Sequence, residues 1–316
     1  GAVVVSFLSV GVGFLALRFF GQGTLTMSSR NMVMKWFEKR RGAANAVLGV
    51  TVSLGFSAAP RFIEIFVQGY GWREAWRIFA LMLMLFAGVV YLFYRDNPQE
   101  LGMKPDGKGE LKQRRRELHR EAVAARDFRL SEARRMAAFW FFALSLALSA
   151  LVVTAFTFHV VSVFGEAGWN RTVAVSVFLP SAVVAVVMQF GGSWVSDYIP
   201  LKVLGLIQLL GIIALAMGVL LLSGTAGILL SITGLGLTQG MMGILSNITW
   251  PRFFGLAHLG EISGFAMAWT VGGSALGPFL FSLSLDLLGS YSGAAIVCIV
   301  IAGVLLAVSA FVRRPE

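Results

Sequence analysis

Three arginines, Arg18, Arg30 and Arg61, stand inside stretches that are otherwise apolar. A cation in hydrocarbon costs at least about 2.5 kcal/mol, so each needs a partner or a watery cavity. Arginine's planar fork of N–H donors suits it to grip a carboxylate through two parallel hydrogen bonds. Two roles are open to Arg30. It can hold the carboxylate of a bound solute, or it can snorkel: Lys35 is only five residues on, about 7.5 Å of helix, which brings the guanidinium within reach of an interface. Arg18 and Arg61 lie near the outer ends of their stretches, and Glu64, three residues from Arg61, shares its helix face, which points to structural roles for both.

Neutral polar residues fall in stripes on the same apolar segments. At 100° per residue, Arg18, Gln22 and Ser29 lie within about 40° of one another, and Arg30 is about 120° round from Arg18. Gln239, Ser246 and Trp250 form a second stripe about 20 to 40° wide. Thr154, Thr157 and His159 gather on a third segment, and such stripes would be wasted facing lipid. His159 has the one side chain whose ordinary pKa, about 6.5, suits a proton-coupled step. Its place near the outer end of its segment equally suits a packing role.

Other chemistries find little support. The three histidines, at 119, 159 and 258, have no metal-ligand spacing, and no His-Glu-x-x-His motif occurs, so neither a metal nor a catalytic centre is expected. Gly234, Gly236 and Gly240 imitate a phosphate loop but lie inside an apolar segment with no strand before them, and no cofactor is expected. Asn170-Arg171-Thr172 and Asn247-Ile248-Thr249 match a glycosylation sequon and are discounted. The lone Cys298 can form no internal disulfide.

The elements that must position these residues are membrane helices. The 316-residue chain is 57% hydrophobic and 13% charged, with mean hydropathy +0.78. A soluble domain carries about twice that charge. The apolar blocks run at about the 20 residues a helix needs to cross the bilayer, and they lack the alternation of barrel strands. They predict nine spans, at 9–34, 43–66, 75–94, 136–163, 172–196, 202–222, 226–248, 262–287 and 291–312. Nearly all of the 26 Lys and Arg fall in one set of alternate loops, which predicts a multi-pass inner-membrane protein with a cytoplasmic C-terminus. The net charge of +10 is explained by those loops, so no nucleic-acid partner is implied.

The polar stretch 95–135 divides the chain into a first group of spans, 1–94, and a second, 136–316. Arg114, Arg115 and Arg116 in that stretch could meet anionic lipid. The two groups share an order of landmarks. Trp36 leads through a basic turn to a Gly-rich span ending at Pro60, then Gly71, Trp72 and Ala75; Trp250 and Arg252 lead to Gly272, Gly273, Gly277 and Pro278, then Gly289, Tyr291 and Ala294. Pro to Gly is eleven residues in both. If these are repeats of six spans, about three helices are missing ahead of Gly1. The glycines of these spans are expected to let helices approach one another rather than touch solute.

Several stretches resemble the major facilitator superfamily, and more narrowly its bacterial monocarboxylate or oxalate:formate-like permeases. Leu-Arg-Phe-Phe-Gly-Gln-Gly at 17–23 is similar to the signature opening that family's fourth helix. Gly192 to Lys202 is similar to the second copy of its cytoplasmic gating loop, with Gly192, Asp197 and Lys202 in place and Tyr198 and Pro200 departing from the pattern. Trp36-Phe37 to Gly42, Gly71-Trp72-Arg73, Asn97 to Gly102 and Gly277-Pro278 match further landmarks in order.

The resemblance implies an all-α membrane fold of two six-helix bundles, the spans here being helices four to twelve. It implies a cavity lined by helices one, four, seven and ten. The cavity candidates are then Arg18, Gln22, Ser29 and Arg30 on the first span, Thr154, Thr157 and His159 on the fourth, and Gln239, Ser246 and Trp250 on the seventh. The implied function is secondary transport of a small organic anion by a monomeric carrier that rocks one bundle against the other, coupled to protons. A carrier of drugs or sugars, a channel, and a sensor that has lost transport are the alternatives.

Overall fold

The computed structural model describes residues 9, 12, 13, 16–37, 41–95, 97–103, 126–196 and 198–312. Its elements are helices throughout, as expected where lipid offers no hydrogen bonds and each backbone N–H and C=O must be satisfied within its own segment. A π-helix, Leu17–Leu25, runs into α1, Thr26–Trp36. Next comes α2, Arg41–Phe93, broken at Gly71, whose φ of 77° only glycine takes without strain. A short turn of helix α3, Leu130–Ala133, precedes α4, Ala137–Glu166. Then follow α5, Arg171–Ser176, and α6, Phe178–Val195. The remaining elements are α7, Leu201–Leu220; α8, Thr225–Phe254; α9, Leu259–Leu288; and α10, Ser292–Val308.

Among the described residues six helices are long and apolar enough to cross a membrane: Ile65–Phe93, Ala137–Glu166, Arg171–Val195, Leu201–Leu220, Thr225–Phe254 and Leu259–Leu288, with Ser292–Val308 apolar but shorter. The sequence predicts nine. The difference lies mainly at the start, where α1 is a short helix rich in Thr, Ser, Arg and Asn, and where the second and third expected spans share one helix broken at Gly71. The π-helix also alters the polar stripe drawn through Arg18 and Gln22. Thr24 and Thr26 donate their hydroxyls to the carbonyls of Phe19 and Gly21, five residues back, and in this wider coil a step of 100° per residue no longer holds. The side chains of Arg18, Gln22, Arg61 and Glu64 lie outside the described residues, as do Arg114 to Arg116.

Glycine sets the spacing of the second bundle. A Cβ at Gly273 or Gly277 of α9 would lie 2.2 Å from the carbonyl oxygen of Ala147 or Leu151 on α4, so the two backbones touch along one edge. On α8, Gly234 abuts the backbone of Leu215 on α7, and Gly236 and Gly240 abut Val184 and Ala185 on α6. Apolar side chains gain little by leaving lipid for one another, and close backbone approach replaces that driving force. The three glycines that imitate a phosphate loop are thus packing surfaces. Asn170, the first sequon asparagine, caps α5 by accepting the Val173 N–H at 3.0 Å.

The end of the central polar stretch packs onto this bundle. Phe128 is fully buried and edge-on to Phe254 at 6.0 Å, and its N–H donates to the Phe254 carbonyl at 2.9 Å. Asp127 accepts from the N–H groups of Leu256 and Ala257 at 2.8 and 3.1 Å, in the turn between α8 and α9. Gly255 makes room for it, with φ of 84° and with Asp127 Oδ1 2.1 Å from where a Cβ would stand. The exposed Glu132 accepts from the Arg129 N–H at 2.8 Å and pairs with Arg126 at 2.9 Å. The Arg129 N–H, then the Arg126 guanidinium, hold its carboxyl below the usual carboxylate range.

Two outcomes follow from this packing. Gly277→Ala should destabilise the detergent-solubilised protein by about 1–3 kcal/mol, whereas Gly272→Ala, which meets nothing within 4 Å, should stay within about 0.5 kcal/mol. A thiol-reactive dye checks both, because Cys298 is the chain's one cysteine, is buried, and becomes labelled only as the bundle opens. For Glu132 the folded pKa is the lower one, so its contribution is complete above the ordinary value of about 4.3 and fades as pH falls through the lowered one. Pepsin should therefore nick the wild-type chain beside Phe128 more slowly than Glu132→Gln at pH 5, and the two rates should converge as the pH falls through the lowered value.

Candidate functional site

A cavity of about 40 Å³ opens between α1 and the second bundle. That is room for a few water molecules or a solute of a few heavy atoms. From α1 it takes Thr26, Met27, Arg30, Asn31 and Met34, one helical face at steps of three and four. Ser246, Asn247 and Trp250 of α8 form the second wall. The third is Leu259, Ser263, Ala266, Met267 and Thr270 of α9, and Leu146 of α4 closes the floor. The site lies near one end of its helices: Arg30 is six residues from the end of α1, Trp250 four from the end of α8, and Ser263 four from the start of α9. At 1.5 Å per residue these are all within about 9 Å of the side on which Asp127 and Phe128 lie.

Arg30 brings the only formal charge among the lining residues. Half-buried, it donates from Nη1 to Ser246 Oγ at 3.2 Å, and among the described residues no carboxylate comes within ion-pair distance of it. Ser246 passes its own proton toward the Gly243 carbonyl at 3.5 Å. Beside this pair Asn31 Nδ2 donates to Ser263 Oγ at 3.3 Å, and Ser263 donates on to the Leu259 carbonyl at 2.6 Å. Both pairs bridge from α1 to the second bundle. The chamber is cationic on one wall, hydroxyl- and amide-bearing on another, and faced elsewhere with Met27, Met34, Met267 and the buried Trp250. Such a chamber suits a small solute that is anionic at one end.

Of the residues singled out in the sequence, Arg30, Ser246 and Trp250 meet here, although two came from one segment and the third from another far along the chain. Ser29 sits on α1 but turns back to donate to the Thr26 carbonyl at 3.1 Å. Gln239 is half-buried two turns along α8, outside the lining. Thr154 is hydrogen-bonded to Ser274 of α9 at 2.9 Å, and Thr157 is exposed. His159 Nε2 pairs with the Pro278 carbonyl at 3.1 Å, its Nδ1 with the Tyr291 hydroxyl at 3.4 Å, and its ring stacks near Phe281. The tight seam at Gly273 and Gly277 leaves no opening on that face of α4, so Thr154 and His159 knit α4 to α9 and α10 instead of facing the chamber.

The gating-loop residues are split in the same way. Gly192 packs against Ile244 and Met241 of α8, Lys202 is half-buried on the first turn of α7, and Asp197 lies outside the described residues. Arg252, which the sequence offers only as one more loop cation, is buried and donates to the Ser196 carbonyl at 2.5 Å, tying the end of α8 to the end of α6. Its place two residues after Trp250 in the repeat was the available signal. Asn31, Ser263 and Thr270 had weaker ones: Asn31 stands beside Arg30, and α9 draws attention through its glycines.

A sequence profile described as Major Facilitator Superfamily matches residues 1–278. No curated protein matches the chain. Members of this superfamily are membrane transporters of small solutes and not enzymes, and helices long and apolar enough to cross a membrane fit that family. On a match that spans most of its length, the chain belongs to the Major Facilitator Superfamily and is a secondary transporter of small solutes.

Proposed function

We propose that the transported solute is a small organic anion, such as a monocarboxylate, and that Arg30 is its principal ligand. The observation that supports this most is a half-buried guanidinium in a small chamber with a neutral serine as its partner and, among the described residues, no carboxylate beside it. Arg30 and Ser246 form a weak pair compared with a bidentate guanidinium–carboxylate contact. An entering carboxylate displaces the Ser246 hydroxyl, takes both prongs of Arg30, and leaves its organic end against Trp250 and the methionines.

The remaining cavity candidates of the sequence have graded roles in this proposal. Asn31 and Ser263 join as neutral ligands, and Arg18 and Gln22 contribute from the neighbouring coil of the first span. Thr154 and His159 keep the second bundle rigid, and Thr157 and Gln239 stand outside the first contact with solute. Alternating access then follows from the bridges themselves. Arg30 to Ser246 and Asn31 to Ser263 hold α1 to the second bundle, and breaking them lets one bundle rock against the other about a fixed chamber. Gly192, Asp197 and Lys202 seal the same side, which the distribution of Lys and Arg makes cytoplasmic in a bacterial inner membrane, with nine crossings in all.

A proton is the coupling ion in this scheme, because an anion entering a cell with a negative interior needs a compensating positive charge. The carrier works as a monomer. A sugar or drug carrier is the second possibility, and it would leave the charge of Arg30 unanswered.

Uptake into proteoliposomes, screened across monocarboxylates and dicarboxylates with and without a pH gradient, tests the proposal. Arg30→Ala should weaken the apparent affinity for the transported anion by about 10- to 150-fold, the equivalent of about 1.5–3 kcal/mol for a charged hydrogen-bonded contact. Arg30→Lys should recover part of it. An apparent affinity unchanged in Arg30→Ala would reduce Arg30 to a snorkelling cation, and uptake indifferent to the pH gradient would remove the proton.

A further inference from the structure

A second, separate feature lies on the outer face of the bundle, where α4 and α9 run side by side. Phe265, Trp269 and Leu276 lie within about 40° of one another round α9, and the cavity residues Ser263, Ala266 and Thr270 are about 60° to 160° away. Trp269 and Leu276 are 41% and 59% exposed. Across the furrow Trp140 of α4 meets Trp269 edge-on at 5.4 Å and Phe265 at 6.3 Å. Three aromatic rings therefore line the mouth of a lipid-facing furrow at the level where α4 begins. Indole and phenyl rings of this kind favour the boundary between headgroups and acyl chains.

Directly over this mouth stands a cation that no described carboxylate neutralises. Trp140 donates its indole N–H to the Arg134 carbonyl at 2.7 Å, which pins the turn leading into α4. The Arg134 guanidinium lies over the Phe265 ring at 5.5 Å, and Arg135 is exposed beside it. The two acids described in this segment are engaged elsewhere, Asp127 on the N–H groups of Leu256 and Ala257 and Glu132 on Arg126. Among the described residues, neither Arg134 nor Arg135 has a carboxylate within ion-pair distance. Insertion bias accounts for arginines on this side of the membrane. It does not account for one of them being set on an aromatic wall at the head of a furrow.

From this placement we propose that the α4–α9 furrow is a binding site for one anionic phospholipid. Its phosphodiester sits between Arg134 and Arg135, its glycerol region lies against Trp140 and Trp269, and an acyl chain runs along α9 past Leu276. A net negative headgroup is selected over a zwitterionic one because both charges set at the furrow's mouth, Arg134 and Arg135, are positive, while Glu261, the described carboxylate one turn from Phe265 on α9, faces His258 at 3.9 Å. The site is independent of the transport chamber and of which solute that chamber takes.

Native mass spectrometry of the full chain, titrated with dioleoyl phosphatidylglycerol or dioleoyl phosphatidylcholine, tests it. One phosphatidylglycerol should be retained in preference to phosphatidylcholine. Each of Arg134→Gln and Arg135→Gln should lower that preference about fivefold, while Arg171→Gln, on the α5 end of the bundle, leaves it unchanged. Millimolar inorganic phosphate should not displace the lipid. Brominated phosphatidylglycerol should quench tryptophan emission of the wild type more than that of Trp269→Phe, a readout that needs no loss of fold. Equal retention of the two lipids, a preference that survives the double arginine variant, or displacement by phosphate, which would mark a site for soluble anions, each overturns the proposal.

Discussion

Backbone contact between glycine-bearing helices is the constraint on which this molecule depends. In lipid, apolar side chains have little to gain by leaving the bilayer for each other, so helices hold together where they can come close enough for main chain to meet main chain. The seam of Gly273 and Gly277 against Ala147 and Leu151 fixes α9 on α4, and the glycines of α8 fix it between α6 and α7. Those two placements decide which faces of α8 and α9 remain open. Ser246 and Trp250 on one, and Ser263 and Thr270 on the other, point into the chamber because the opposite faces are already in contact. The position of the site is a by-product of how the bundle closes.

The same closure explains the electrical character of the chamber. Polar groups caught between the packed helices pair with one another: Thr154 with Ser274, the Gln208 amide N–H with Ser149, and His159 with Pro278 and Tyr291. What is left facing the chamber is a set of hydroxyls, amides and thioethers with one guanidinium arriving from α1. A charge in such surroundings interacts strongly because little water screens it. Neutral partners such as Ser246 hold the guanidinium in place without cancelling its charge.

Much of the helical character could be read from composition, since long apolar blocks at low charge leave few alternatives in a membrane. Arg30, Ser246 and Trp250 could be found too, each being a polar or amphipathic residue where hydrocarbon would reject it. The partners on α9 could not, because Ser263 and Thr270 are small hydroxyls that a helix can satisfy on its own carbonyls. His159 drew attention by its chemistry, yet its surroundings are set by glycines more than a hundred residues away, which no local pattern reveals. The coil at Leu17–Leu25 defeated the rotational bookkeeping for Arg18 and Gln22, because a stripe drawn at one pitch does not survive a change of pitch. Arg252 shows the converse: a cation at the end of a span looks like a topology signal until it is seen reaching the Ser196 carbonyl.

The junction at Asp127 and Phe128 has a mechanical meaning. The connector between the two groups of spans does not simply enter α4; before doing so it is fastened to the hairpin bend that joins the chamber's two longest walls. A pull on the connector is therefore delivered to that bend, at the foot of both walls, and not to the start of the bundle. In the rocking motion proposed above, a strap anchored at that point would convert relative motion of the halves into leverage on the vessel that carries the cargo.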